Sequence, residues 1–286
     1  MVRRNNGQVV HRDMVLATEE FGEADRPAIV LIMGATASMI GWPDGLCIEL
    51  ARHGFRVVRF DHRDTGRSTT VPPGEADYAV EDMAADVVAI LDGLGLDRAH
   101  LVGMSLGGYI GQMIAVDHPA RVATLTLIAS EPLGWDGDPL PHIAPEFMAH
   151  FSALATLDWT DAAAAEDFLV GIDALSCGTG HCFDGAAARA QARRALSRTA
   201  SPASMFNHAT VATRQEWAGA YRRIAQPTLV IHGQDDPVLP IENGRALAAG
   251  IAEAQIAELE GVGHELPAAH IADIAALIAR HASGDG

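Results

Sequence analysis

Short apolar runs rich in β-branched residues, alternating with helical patterns, limit what this chain can become. "AIVLIMG" (28–34), "RVVRFD" (56–61), "AHLVGMS" (99–105), "VATLTLIAS" (122–130) and "PTLVIHG" (227–233) each read as a buried strand. Between and after them lie "VEDMAADVVAILDGLGL" (80–96), an amphipathic helix ending in glycine, then "LGGYIGQMIAVDHP" (106–119) and "AAHIADIAALIARHA" (268–282). The stretch 9–22 reads as an antiparallel hairpin and "AQIAELE" (254–260) as a further strand. The expected fold class is α/β, with a mostly parallel central sheet and helices on both faces.

The rhythm breaks after Ser130. Residues 131–223 hold Ala-rich helical stretches such as "DAAAAEDFLVGI" and "GAAARAQARRAL" but no convincing buried strand. A helical block between two strands of one sheet reads as a cap over the sheet's carboxyl edge. Residues 1–130 and 224–286 are therefore expected to form the core and 131–223 the cap, which 286 residues can supply.

A net charge of −17 argues against nucleic acid and anionic membrane surfaces as partners. No apolar run reaches the ~18 residues of a membrane span, and no apolar stretch follows the basic opening "MVRRNNGQVVHRD". A cytoplasmic protein is expected, with no membrane partner; its oligomeric state is left open. Cys47, Cys177 and Cys182 are too few for a disulfide framework. "SCGTGHCFD" allows a Cys177–Cys182 bridge or, with His181, part of a metal site. Without a fourth ligand or a standard spacing, plain thiols are the preferred reading, and no metal or other cofactor is expected.

Chemistry points to "GMSLGG". Ser105 stands where a buried strand turns directly into a helix, the setting of a G-x-S-x-G nucleophile elbow. Gly103, Gly107 and Gly108 keep the neighbours small, and the Leu106 N–H is left free at a helix start to bind an oxyanion. A serine needs a base and an acid to orient it, expected in the order Ser, Asp or Glu, His. "LVIHGQDDPVLP" and "LEGVGHELP" place Asp236 and His264 just past strand ends, where ligands of open α/β sheets bind. Asp236 is preferred over Asp235 because Pro237 fixes its turn; Asp235 is expected at the surface or capping that turn. The second oxyanion N–H is assigned to Ala35 in the loop "MGAT". "DHRDTGRST" (61–69) reads as charged side chains tying down a turn, with His62 at the pocket edge and an Asp64–Arg67 ion pair. Trp42 and Met104 flank these motifs and are the expected substrate contacts. Trp135, Trp159, Phe206 and Trp217 are weaker candidates that helical spacing makes equally suited to core.

Together "MGATAS", "DHRDTGRS", "GMSLGG", "PTLVIHGQDDPVLP" and "GVGHELP" resemble the α/β-hydrolase superfamily over nearly the whole chain. "GWPDGL", "DHRDTGRSTT" and "LDGLGLDRAHLVGMSLGG" look most like the aclacinomycin methylesterase-type carboxylesterases. The resemblance implies hydrolysis of a small-molecule carboxylic ester, a methyl ester or lactone included, by Ser105, His264 and Asp236 without a cofactor. Two positions depart from the superfamily pattern. Met33 stands where histidine is common before Gly34, and Asp64 where the turn usually has glycine. C–C bond hydrolases and cofactor-free haloperoxidases share the triad, and a non-catalytic receptor shares the fold; a nucleophilic serine disfavours dehalogenases and epoxide hydrolases.

Overall fold

The computed structural model describes residues 2–284. Strands Arg4–His11 (β1) and Met14–Phe21 (β2) form the antiparallel hairpin, paired from Arg4 opposite Phe21 to His11 opposite Met14. Six more strands follow: Ala28–Ile32 (β3), Arg56–Phe60 (β4), Ala99–Met104 (β5), Val122–Ile128 (β6), Thr228–Gly233 (β7) and Gln255–Leu259 (β8). They build one sheet in the order β1-β2-β4-β3-β5-β6-β7-β8, parallel from β4 through β8.

Period-two alternation divides the core between the two faces of this sheet. Val30, Ile32, Val58, Leu101, Leu125 and Val230 point to one side, under helices Val80–Gly93 (α2) and Leu106–Asp117 (α3). Ile29, Leu31, Val57, Val102, Leu229 and Ile231 point to the other, under Asp44–Arg52 (α1) and Ile271–Ser283 (α8). Burying each such side chain contributes about 1.5–3 kcal/mol, which explains why the central strands are mostly apolar; Arg59 of β4 is a buried exception, paired with Glu19 and Asp44. Two helices had no clear signature in the sequence, α1 and Ile241–Gly250, and β1 starts well before Val9 because only that residue of it is buried.

Between β6 and β7 the described residues form helices and turns and no strand: Pro145–Phe151 (α4), Ala162–Ser176 (α5) and Gly185–Leu196 (α6), with Ile241–Gly250 (α7) following β7. Asp161 and Asp184 cap α5 and α6 by accepting from the backbone N–H groups two and three residues on. This block touches the loops at the carboxyl ends of the strands. Gln191 Nε2 donates to Ile40 O (2.7 Å), Arg198 pairs with Asp61 (2.7 Å), and Gly178 N donates to Glu265 (2.7 Å). No helix among the described residues is long and apolar enough to cross a membrane.

Candidate active site

At the end of β5 the backbone turns through Ser105 with φ 52° and ψ −122°, a conformation that a residue bearing a Cβ rarely adopts. Close packing enforces it. A Cβ on Gly103 would lie 2.3 Å from Gly107 O, and one on Gly107 would lie 2.0 Å from Ile32 O. On Gly108 it would lie 2.6 Å from Ser130 Oγ. The Ser105 carbonyl, turned inward, accepts from Gly108 N (2.9 Å), Tyr109 N (3.1 Å) and Ser130 Oγ (2.9 Å). The bend is thus over-determined, and the serine side chain is left half-exposed beside the start of α3.

Asp236 follows the end of β7 and is 4% exposed. One carboxylate oxygen accepts from Val238 N and Leu239 N, both at 2.8 Å; the other faces His264 Nδ1 at 2.8 Å. With one oxygen occupied by backbone donors, the second is oriented to fix the imidazole with its proton on Nδ1 and Nε2 free as a base. The two loops meet at backbone distance: a Cβ on Gly233 would lie 2.2 Å from Val262 O, and His264 N donates to Ser176 O (2.8 Å). His232 lies beneath. It is fully buried and donates from Nε2 to Leu239 O (2.6 Å), and burial lowers its pKa, so a neutral ring backs the carboxylate.

Beside the serine, a Cβ on Gly34 would lie 3.2 Å from Ser105 Cβ. Ala35 and Leu106 are half-buried, and among the described residues neither N–H donates to another backbone group. Two free N–H groups flanking a serine side chain suit an oxyanion that forms on attack.

A sequence model of the alpha/beta hydrolase fold matches residues 27–268, most of the chain. The chain is an alpha/beta hydrolase. It is 32% identical to rhodomycin D methylesterase DnrP of Streptomyces peucetius, covering 96% of each chain. An esterase from Exiguobacterium antarcticum superposes with a TM-score of 0.80 over 98% of this chain and all of its own, at 20% identity, which speaks to fold alone. Est816, described as an N-acyl homoserine lactone degrading enzyme, gives a TM-score of 0.72 at 25% identity, covering 97% of this chain and 99% of its own.

Several side chains of the hydrolase lie elsewhere than the sequence suggests. Trp42, expected against substrate, has no exposed surface and packs in the core beside α1, so it lines no space that even water enters. Met104 is 5% exposed, next to Ser105. His62 is not at a pocket edge: it is fully buried, donates from Nε2 to Met33 O (3.0 Å), and burial, with His208 nearby, pushes its pKa down to about 3. Asp64 does not pair with Arg67. It accepts instead from Tyr78 Oη (2.6 Å), Val71 N (2.6 Å) and Asn207 Nδ2 (3.0 Å). Asp235 lies at the surface, as expected, and there accepts from Thr179 N (2.9 Å) and Thr179 Oγ1 rather than capping its turn. Trp217 is core, donating to Glu81 (3.1 Å), and Trp159 and Phe206 pack against each other at a tilt and edge-to-face on Phe151 and Phe168. An open cleft of about 670 Å³ beside Asp235 and Glu260 is not lined by Ser105, so it is no guide to the chemistry.

One site residue had no signal in the sequence. His208 is buried, accepts at Nδ1 from Thr36 N (3.1 Å) and donates from Nε2 to Arg63 O (2.8 Å). It ties the inserted block to the loop of Ala35, where Thr36 holds φ 64°.

Proposed function

We propose that this hydrolase cleaves a small carboxylic ester, of the methyl ester or lactone class, through an acyl-enzyme on Ser105. The observation that carries the reading is the left-handed turn at Ser105 together with the His264–Asp236 bond of 2.8 Å, each just past the carboxyl end of a strand of the same sheet. Similarity to a methylesterase along nearly the whole chain supports the ester as the bond broken, and the lactone degrader supports a cyclic ester as an allied substrate.

His264 Nε2 takes the Ser105 proton as Oγ attacks the carbonyl carbon. The imidazolium is steadied by Asp236, and the tetrahedral oxygen by the N–H groups of Ala35 and Leu106. The C–O bond breaks, and the alcohol leaves with the proton from His264. Water then gives a proton to His264 and attacks the acyl carbon; Ser105 recovers its proton as the acid departs. Residues 131–223 act as the cap over this site, and Gln191, Arg198 and His208 fasten it to the core. Met104 contributes to the pocket floor. The cytoplasm is the proposed location, which three unpaired cysteines among the described residues suit.

The test is turnover of p-nitrophenyl, methyl and lactone substrates by parent, Ser105→Ala and His264→Ala, with fluorophosphonate labelling of Ser105. Each variant should lose at least about 10³-fold in kcat. Undiminished ester turnover by Ser105→Ala would sink the proposal; cleavage of vinylogous diketones in preference to esters would replace it with C–C hydrolysis.

A further inference from the structure

Cys177, His181 and Glu265 converge on one spot outside the Ser105 chemistry. His181 Nε2 is 3.5 Å from Cys177 Sγ and 3.3 Å from Glu265 Oε2, and all three ligand atoms lie within 4.8 Å of one another. In the sequence Cys177 and His181 lack a further ligand; the fold supplies one from a distant loop. His181 Nε2 can donate to the thiol or the carboxylate but not to both, and the Cys177 thiol also reaches Gly178 O (3.5 Å), so the three groups are hydrogen-bonded to one another and to the backbone.

The distances match coordination. A Zn–S arm of about 2.3 Å and a Zn–N arm of about 2.0–2.1 Å meeting at a tetrahedral angle set sulfur and nitrogen about 3.5 Å apart, and N and O arms of about 2.0–2.1 Å set those atoms about 3.3 Å apart. The surroundings resemble an outer shell: Gly178 N donates to Glu265 Oε1 (2.7 Å), orienting the carboxylate and leaving Oε2 to the cluster. Thiolate, imidazole and carboxylate also form a donor set suited to zinc rather than magnesium or calcium.

We propose that Cys177, His181 and Glu265 bind a zinc-class divalent cation, with solvent in the fourth position. Binding exchanges the Cys177 thiol proton for the metal. The ion would fasten the segment after α5 to the loop of His264, where Ser176 O already accepts from His264 N (2.8 Å). The site does not depend on Ser105.

Metal-free full chain titrated with Co²⁺ should take up one equivalent, with a thiolate-to-cobalt charge-transfer band and the strong d–d bands of a four-coordinate ion; Zn²⁺ should displace it and raise the melting temperature. Cys177→Ala should abolish the charge-transfer band. His181→Ala and Glu265→Gln should weaken uptake at least about tenfold, while Cys182→Ser and Ser105→Ala titrate like the parent. Metal-free melts check that each variant folds. Absence of saturable uptake, a charge-transfer band that survives Cys177→Ala, or one lost in Cys182→Ser would overturn the site.

Discussion

Ser105 holds backbone angles that cost an L-residue on the order of 1–3 kcal/mol, and the packing of Gly103, Gly107 and Gly108 prevents relaxation. That strain can be measured apart from catalysis. Ser105→Gly and Ser105→Ala both remove the nucleophile, but only glycine tolerates φ 52° without penalty. Glycine normally destabilises relative to alanine by roughly 0.5–1 kcal/mol; here Ser105→Gly should melt above Ser105→Ala by about 2–4 °C, corresponding to about 1 kcal/mol. Equal melting temperatures, or the usual order, would show that the turn is relaxed. The neighbouring glycines should behave oppositely: Gly107→Ala drives a Cβ to 2.0 Å from a backbone oxygen with nothing flexible to yield. A loss of about 3 kcal/mol or more is expected in denaturant titration. This part of the site was legible because the glycines sit within three residues of the serine. His208 was not, since nothing local to it distinguishes it from the other histidines; its tertiary contacts to Thr36 and Arg63 do.

Elements show the same division between local and distant information. Strands β3 to β7 could be read because both faces are buried, which favours apolar, β-branched runs even where a buried Arg59, Thr126 or His232 interrupts them. Helix α7 could not, because the face it buries includes Asn243 and Gly244 as well as Ile241 and Leu247, which blurs the periodicity. The loop after β3 runs beside Ser105, with Gly34 against the serine Cβ, yet part of what holds it comes from the inserted block. His208 accepts the Thr36 N–H while His62 donates to Met33 O, so the segment bearing Ala35 is held at both ends. His208→Ala frees the Thr36 end. Ester kcat should then fall about tenfold, equivalent to about 1.4 kcal/mol of barrier, with KM nearly unchanged, because the oxyanion forms only in the transition state. A change in KM alone would place His208 in substrate binding instead.

Across the whole molecule, neutral buried histidines couple stability to acidity. His62 titrates at about 3 when folded, against an ordinary 6.5, because its ring is wholly desolvated. Between these values the unfolded chain takes up the proton and the folded chain does not, so stability is full above pH 6.5 and is lost as pH falls toward 3. Burial lowers His208 and His232 as well, which adds to the loss in the same direction. Asp61 opposes it: burial raises its carboxyl above 3.8 despite the Arg198 partner, so it favours the fold more as it protonates. Burial also lowers His100 and His281 and raises Glu131 and Asp173; with five histidines against three carboxylates, the net slope should be destabilising on acidification, with His62 contributing on the order of a few kcal/mol at most. Denaturant unfolding from pH 7 to 4.5 would measure this slope. His62→Gln can keep a side-chain donor for Met33 O but has no ionisable ring, so its stability should vary less with pH than the parent's. Parallel curves for the two proteins would show that His62 gains its proton without unfolding and that the acid sensitivity arises at another buried group.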